Sequence, residues 1–156
     1  MRRVLTIPLP KERDTIEVAT KMADCITQSS LVTFQGDIGA GKTTFIRAML
    51  KAKGIKSAIK SPTFSLVESY TLQNLQIHHF DLYRIHNEEE LELIGFRDYF
   101  TNDAICCIEW PEHGPSYIEK KDIECILTTL GEGRELTLIA NTPEGKQSIS
   151  CLEASL

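Results

Sequence analysis

A glycine-rich segment at residues 36–43 constrains the fold of this chain more than any other feature. Its sequence, Gly36-Asp37-Ile38-Gly39-Ala40-Gly41-Lys42-Thr43, fits the G-x-x-x-x-G-K-[ST] pattern of a phosphate-binding loop. A run of β-branched and aromatic residues, 31–35, precedes it, and residues 43–53 follow with a helical spacing of apolar side chains. Because a strand, the glycine loop and a helix come in the order that such a loop requires, we predict a nucleotide-binding site here.

Each residue type in this segment suits the binding of a phosphate group. Glycines let successive backbone N–H groups turn toward an anion, and the first turn of the following helix adds partial positive charge. We expect Lys42 to reach the β- and γ-phosphates from the solvent side of the loop, outside the core, and the Thr43 hydroxyl to bind Mg²⁺. An ordinary turn with a solvated lysine is the alternative, but such turns rarely need so many glycines. The predicted nucleotide contacts in this segment are Gly36, Asp37, Gly39, Ala40, Gly41, Lys42, Thr43 and Thr44.

The length of the chain limits what can surround this loop. With 156 residues, of which 42% are hydrophobic, we expect a single domain over residues 1–156, without room for a lid and a second substrate domain. The net charge of −5 argues against a broad basic surface for gripping RNA or DNA. The sequence has no signal-peptide pattern and no apolar run of membrane-spanning length, so we expect a cytoplasmic protein.

The cysteines are odd in number and lack the C-x-x-C spacing of metal sites. Four of the five lie in apolar stretches, and the exception is Cys151. We therefore expect reduced packing residues and neither a disulfide framework nor a metal site.

The rest of the sequence alternates helical and strand patterns. We expect an edge strand over residues 2–7 that ends before Pro8, then a helix with Asp14 as N-cap and Glu17 three residues later. The predicted buried face of this helix consists of Ile16, Ala19, Ala23 and Ile26. Other predicted elements are a hairpin of strands 65–71 and 76–80, an acidic helix from 87 to 95, a buried strand 104–108, and strands 123–130 and 135–140. This alternation predicts an α/β fold with a P-loop NTPase-like central sheet, mostly parallel with antiparallel edge strands and flanked by helices.

Two acidic residues lie at the carboxyl ends of predicted strands, where ligands of parallel sheets bind. Glu109 follows the buried run 104–108, where its carboxylate would face a metal held by Thr43, although a glutamate emerging into solvent is the alternative. Asp81 ends the neighbouring strand and offers a second acid for the metal or for water. Thr63 follows the loop helix, where nucleotide hydrolases often sense the γ-phosphate. We therefore predict Lys42, Asp81 and Glu109 as catalytic residues, and Thr43, Glu109 and Asp81 as metal ligands.

Aromatic and imidazole side chains surround these acids in the sequence. Trp110 directly follows Glu109, so we expect its indole at the rim of the nucleotide pocket, the alternative being an indole in a rigid core. His78 and His79 are adjacent in one strand and point to opposite faces, which makes them poor candidates for joint metal binding.

Four motifs in order resemble the bacterial TsaE ATPases over nearly the whole chain. They are the glycine loop continued to Thr44, Ser61-Pro62-Thr63-Phe64-Ser65-Leu66-Val67-Glu68, His79-Phe80-Asp81-Leu82-Tyr83-Arg84 and Ile108-Glu109-Trp110-Pro111-Glu112. The resemblance implies an ATP- and Mg²⁺-dependent subunit of the machinery that makes threonylcarbamoyladenosine in tRNA. It also implies partners, the TsaD and TsaB proteins, through which the subunit would act on tRNA indirectly. By similarity, the adenine contacts would involve Glu12, Glu112, Gly133 and Arg134.

We therefore expect an Mg²⁺-dependent ATPase that is weak without its partners. A nucleotide-dependent binding module with negligible turnover is the main alternative, and a small-molecule kinase would use the same loop but would need space for an acceptor and a lid. A GTPase would need a guanine-reading N-K-x-D segment, which the sequence lacks.

Overall fold

The computed structural model describes residues 2–156, and its centre is a seven-stranded sheet with the strand order β1-β7-β6-β2-β5-β4-β3. The strands are β1 Arg3–Leu9, β2 Ser30–Gln35, β3 Val67–Leu72, β4 Leu75–Asp81, β5 Ala104–Glu109, β6 Ile123–Leu130 and β7 Gly133–Ala140. The α-helices are α1 Glu12–Cys25, α2 Lys42–Lys53, α3 Glu90–Leu93 and α4 Pro143–Ser155, and short 3₁₀ helices cover Phe96–Tyr99, Pro111–His113 and Pro115–Tyr117. Strands β6, β2, β5 and β4 run parallel at the centre, whereas β1, β7 and β3 pair antiparallel at the two sides. The predicted α/β architecture is confirmed.

The centre of the sheet is buried on both faces. Every residue of β5 is buried, as the continuous apolar run 104–108 predicts for a parallel central strand. Ile105 and Cys107 pack with helices α1, α2 and α4 in one core, while Cys106 and Ile108 pack in a second core with α3 and the short turns around it. Successive side chains of β5 therefore point to opposite faces of the sheet. Helix α2 and its glycine loop lie on the face that carries Ile105 and Cys107.

Several boundaries differ from the predicted ones. Strand β1 continues through Pro8 to Leu9, because an edge strand tolerates a proline whose missing N–H faces away from its partner. Helix α1 begins a turn earlier than predicted, with Lys11 at the N-cap and the Asp14 carboxylate accepting the Lys11 N–H at 2.9 Å. The prediction that Ile16 is buried is wrong, since its side chain is 41% exposed.

Two cysteines correct the expectation that all five are reduced. Cys25 at the end of α1 and Cys151 in α4 form a disulfide with a Cα–Cα distance of 5.7 Å. The two helices pack against each other and bring residues 126 positions apart within bonding range, which the local sequence of neither helix indicates. Cys106, Cys107 and Cys125 are free and buried, as predicted. None of the helices within residues 2–156 combines the length and the apolar character that a membrane span requires.

Candidate nucleotide-binding site

Three parallel strands end together at one edge of the sheet. Glu109 of β5 lies opposite Phe34 of β2 on one side and Asp81 of β4 on the other. The glycine loop leaves β2 immediately afterwards and enters α2 at Lys42. The register alone therefore brings the loop and both predicted acids to one place. A cavity of about 450 Å³ at the opposite edge adjoins the amino ends of the strands, where ligands of such sheets do not usually bind.

Two glycines of the loop occupy positions where a residue with a side chain would clash with a neighbouring strand or strain the backbone. A Cβ on Gly36 would lie 2.6 Å from the backbone oxygen of Leu127 in β6, so the loop passes this strand too closely for a side chain. Gly41 has a φ of +102° and forms the N-cap of α2, so its left-handed conformation turns the chain into the helix. The loop thus has the shape that the glycine pattern predicts.

The position of Lys42 differs from the expectation. Its side chain is buried at 5% exposure, with Nζ donating to the Gly36 oxygen and lying 3.7 Å from the centroid of the Trp110 ring. Loss of hydration on burial lowers the pKa of Lys42, although Glu109 and other nearby carboxylates act in the opposite direction. The expectation of a lysine on the solvent side, outside the core, is therefore wrong, because the indole covers the ammonium group.

Glu109 is held from two sides in a buried position. Its carboxylate is 3% exposed and accepts from the Thr43 hydroxyl at 3.0 Å to each oxygen. From the other side, Nε2 of the fully buried His79 lies 2.7 Å from Oε2 of Glu109. The alternative of a glutamate emerging into solvent is contradicted by this burial.

Asp81 forms a second small network beside Glu109. Its Oδ2 accepts from the Thr63 hydroxyl at 3.3 Å, and its Oδ1 accepts from the Tyr83 backbone N–H at 3.0 Å. The Ser61 and Thr63 hydroxyls are 2.8 Å apart, which extends the network toward solvent. The segment after α2 is therefore tied to the end of β4 through hydroxyl groups.

An aromatic cluster forms the rim of the site. Trp110 has a left-handed backbone with a φ of +58°, which lifts its side chain out of the line of β5. Its ring centroid lies 5.0 Å from that of Tyr83 and 5.6 Å from that of His113, whose Nδ1 is 2.8 Å from the Leu82 oxygen. The indole thus lies at the rim, as expected, and it also caps the loop lysine.

Two adjoining cavities share the glycine loop. One, of about 350 Å³, is lined by the acids, Thr43, Thr63 and Trp110. The other, of about 230 Å³, lies on the far side of Gly39 and is lined by Glu12, Gly133 and Arg134, whose guanidinium donates to the Gly39 oxygen at 3.0 Å. Glu112 lines neither cavity and is exposed beyond Trp110, so the structure does not place it with the other residues expected around adenine.

One residue of this site was not predicted, namely His79 as a partner of Glu109. The available signal is the period of two in a strand, which puts residues 79 and 81 on the same face. His78 lies on the opposite face, against Ser69 and Tyr99, as the strand pattern predicts.

The oxygen atoms around Thr43 suit a hard cation. Mg²⁺ is commonly held by one or two carboxylates together with substrate phosphates, and a cage of protein ligands is unusual. Within residues 2–156, the structure contains no group of three or more His, Cys, Asp or Glu side chains that could hold a metal ion. The Thr43 hydroxyl and the carboxylates of Glu109 and Asp81 lie beside the phosphate-binding loop. They therefore fit a site in which substrate phosphates supply the other ligands of the cation.

Comparisons with known proteins show which family this chain is similar to. Residues 9–136 match the family described as threonylcarbamoyl adenosine biosynthesis protein TsaE. A Haemophilus influenzae protein named tRNA threonylcarbamoyladenosine biosynthesis protein TsaE is 41% identical over 151 residues, which cover 94% of this chain and 96% of that protein. A Bacillus subtilis protein of the same name is 30% identical over 128 residues, or 81% and 80% of the two chains.

A solved structure shares the fold. The crystal structure of Bacillus subtilis YdiB aligns with a TM-score of 0.84 over 99% of this chain and 97% of that chain, at 23% identity. The match over residues 9–136 and the 41% identity with the Haemophilus influenzae protein establish that the chain belongs to the TsaE family.

Proposed function

We propose that this protein is an Mg²⁺-dependent ATPase subunit of the machinery that makes threonylcarbamoyladenosine in tRNA, and that residues 1–156 form a single P-loop domain. The observation that carries the proposal is the contact of Thr43 with Glu109 at the carboxyl edge of the sheet, beside the glycine loop. The names of the relatives from Haemophilus influenzae and Bacillus subtilis support the pathway.

The loop residues bind the phosphates. Backbone N–H groups from Gly39 to Thr44 and the N-terminus of α2 stabilise the negative charge of the phosphate chain. Lys42 leaves the Trp110 ring and pairs with the β- and γ-phosphates, where its charge is stabilised by an anion. The cavity lined by Glu12 and Arg134 adjoins the loop on the far side of Gly39, and it accommodates the adenosine part.

The carboxylates of Glu109 and Asp81 and the hydroxyls of Thr43 and Thr63 serve the metal and the attacking water next to the γ-phosphate. Thr43 and Glu109 would hold Mg²⁺, which supplies charge neutralisation at the phosphates when it is bound. Asp81 orients water or completes the metal shell, and Thr63 links that carboxylate to the segment after α2. Catalysis in this proposal consists of positioning and charge stabilisation, which are sufficient for phosphoryl transfer to water.

Partners complete the site in this proposal. The cavity beside Asp81 is open to solvent, and water weakens the electrostatic stabilisation of a transition state. The TsaB and TsaD proteins of the same organism would cover the exposed side chains around it, among them Phe64, Tyr83 and Arg84. Transfer to tRNA would take place on the partners, so this subunit would act on tRNA indirectly.

A nucleotide-dependent binding module with negligible turnover is the second candidate. The cavity beside Asp81 favours it, because this cavity is open to solvent and water weakens the electrostatic stabilisation of a transition state. In that case ATP would regulate assembly, and hydrolysis would be incidental.

Reconstitution separates these possibilities. Phosphate release from ATP is measured for the protein alone, with TsaB and TsaD, and for a Glu109→Gln variant in both settings. We expect turnover that the partners raise and the variant abolishes, together with loss of threonylcarbamoyladenosine when the protein is omitted. ATP-dependent complex formation without turnover would support the binding module, and normal modification without the protein would contradict the pathway assignment.

A further inference from the structure

The imidazole of His79 occupies a position that packing alone does not explain. The side chain is 0% exposed and lies on the same face of β4 as Asp81, directed toward the core that contains α2. Its Nε2 is 2.7 Å from Glu109, whereas its Nδ1 has no hydrogen-bond partner within the described residues 2–156. Buried polar atoms are nearly always paired, and within residues 2–156 the contact with Glu109 is the only hydrogen bond that this imidazole makes.

The chemistry of the two partners fixes the direction of this contact. An ionised carboxylate only accepts hydrogen bonds, and a neutral imidazole carries one N–H and one acceptor nitrogen. For a neutral imidazole beside an ionised carboxylate, we therefore assign the proton to Nε2, which donates to Oε2 of Glu109, and Nδ1 is left as the acceptor nitrogen. This arrangement also avoids a buried N–H donor without a partner.

The contact determines where the Glu109 carboxylate points. Thr43 donates to both carboxylate oxygens from the loop side, and His79 donates from the core side. Glu109 is thus fixed between a proposed metal ligand and a group that is itself rigid inside the sheet. Such outer partners set the orientation and basicity of metal ligands, and their removal commonly weakens metal binding by about tenfold to a hundredfold.

We propose that His79 is a positioning residue that holds Glu109 toward Thr43 and thereby sets the affinity of the nucleotide complex for its divalent cation. This inference rests on the proposed function, because it assumes that the site binds a metal with the nucleotide. His79 itself touches neither the nucleotide nor the metal and acts only through Glu109.

A pair of matched substitutions tests the role. In His79→Gln the amide nitrogen reaches about as far as Nε2, so the donor to Glu109 is kept, whereas in His79→Asn it reaches only as far as Nδ1. The measurement is the affinity of the ADP complex for Mn²⁺, followed by electron paramagnetic resonance, together with ADP affinity in excess chelator. We expect His79→Asn to weaken Mn²⁺ binding by about tenfold and His79→Gln by less than about threefold, with metal-free ADP affinity unchanged in both.

The controls separate this role from packing and from the function itself. His78→Gln alters the neighbouring imidazole on the opposite face and should leave Mn²⁺ affinity at the parent value. Parental Mn²⁺ affinity in His79→Asn would overturn the positioning role, as would equal losses in the Asn and Gln variants. A parent ADP complex that binds no Mn²⁺ would contradict the proposed function instead.

A measurement on the unsubstituted protein covers variants that fail to fold. Long-range ¹H–¹⁵N correlation spectra of the imidazole distinguish its two tautomers. We expect the proton on Nε2 of His79, and a proton on Nδ1 alone would overturn the inference.

Discussion

The ammonium group of Lys42 lies 3.7 Å from the centroid of the Trp110 ring, so the loop lysine is capped by an indole from the end of the neighbouring strand β5. A cation over an aromatic face is stabilised by the ring quadrupole, and more strongly where water is excluded. Lysine and tryptophan are therefore paired, and a triphosphate on the loop would compete with the indole for the same charge.

Tryptophan emission should report this competition. Trp110 is the only tryptophan, so the protein's indole signal comes from this site. We expect nucleotide binding to draw Lys42 away from the ring and to change both the intensity and the wavelength of emission. The check is a titration with ATP and Mg²⁺, and an emission spectrum that stays constant at saturation would show that the pair survives binding. Lys42→Met is the matched control, because it has no ammonium group to withdraw, and its emission should not respond at an ATP concentration that saturates the variant.

The same substitution should separate binding from stability. Lys42→Met removes the phosphate ligand, so we expect ATP affinity to fall by at least about a hundredfold, the loss of a charge-assisted contact of roughly 3 kcal/mol. The fold should stay within about 1 kcal/mol of the parent, because burial lowers the pKa of Lys42 and an apolar side chain of similar length avoids that penalty. Calorimetric titration measures the ATP affinity, and thermal unfolding measures the stability of the fold. Retained ATP affinity would contradict the loop assignment.

The sequence predicted the parts of this fold that depend on local patterns. Residues 104–108 form a continuous apolar run, and only a strand between two covered faces buries such a run. The glycine loop was likewise predictable, since its glycines are required by φ values and close contacts that the structure contains. The hairpin around Gln73 follows from the turn residues between two alternating segments.

Other features depend on contacts between distant segments and were not predicted. Helix α4 begins with the N-cap Thr142, whose side chain accepts from the Gly145 N–H, but its sequence has few apolar residues at helical spacing. The Cys25–Cys151 disulfide requires α4 to pack on α1, so neither α4 nor the disulfide was predicted. In the site, the burial of Lys42 and the His79–Glu109 contact are set by neighbouring strands and not by motif spacing.

Removal of the Thr43 hydroxyl should affect the metal more than the nucleotide. Thr43→Ala deletes one proposed ligand and leaves Lys42 and the loop amides in place. We expect the Mg²⁺ concentration for half-maximal ATP binding to rise by about tenfold, with little change in metal-free affinity. Thr43→Ser keeps the hydroxyl and should behave like the parent. An unchanged Mg²⁺ titration in the alanine variant would contradict the ligand role.

The cysteines should divide into two classes under alkylation. Burial raises the pKa of Cys106 to about 12, so this thiol stays protonated and unreactive in the native protein at pH 8. After denaturation, iodoacetamide should add to three cysteines, and to all five only if the disulfide is first reduced, which mass spectrometry counts. Five additions without reduction would contradict the cross-link between α1 and α4.

The same thiol gives a direction for stability in alkali. A thiol pKa that is higher in the folded than in the unfolded chain means that the folded state holds the proton more tightly. Its contribution is complete below the ordinary pKa of 9.0 and decreases as the pH rises toward about 12. We expect the free energy of unfolding of Cys106→Ala to fall less steeply with pH above 9 than that of the parent. Parallel pH profiles would argue against the burial effect.

Coupling to the partners should depend on an exposed arginine at the end of β4. The guanidinium of Arg84 lies 4.2 Å from the ring centroid of Phe64, a side chain that is 81% exposed. Arginine and aromatic side chains dominate the binding energy of many interfaces. We therefore expect Arg84→Ala to keep the ATP affinity of the isolated protein. Its rate of ATP hydrolysis in the presence of TsaB and TsaD should be at least about tenfold lower than that of the parent.

A second arginine supplies the matched control for this prediction. Arg97 is also exposed and lies 4.6 Å from the ring centroid of Tyr117, but it belongs to a short 3₁₀ helix, Phe96–Tyr99, that does not line the nucleotide cavity. Arg97→Ala removes the same charge and the same kind of ring contact, so it should respond to increasing TsaB and TsaD as the parent does. If TsaB and TsaD stimulate the Arg84 variant as much as the parent, the coupling surface lies elsewhere. If both variants lose the same amount of stimulation, the cause is a general effect of charge, since electrostatic attraction between partners acts over several ångströms.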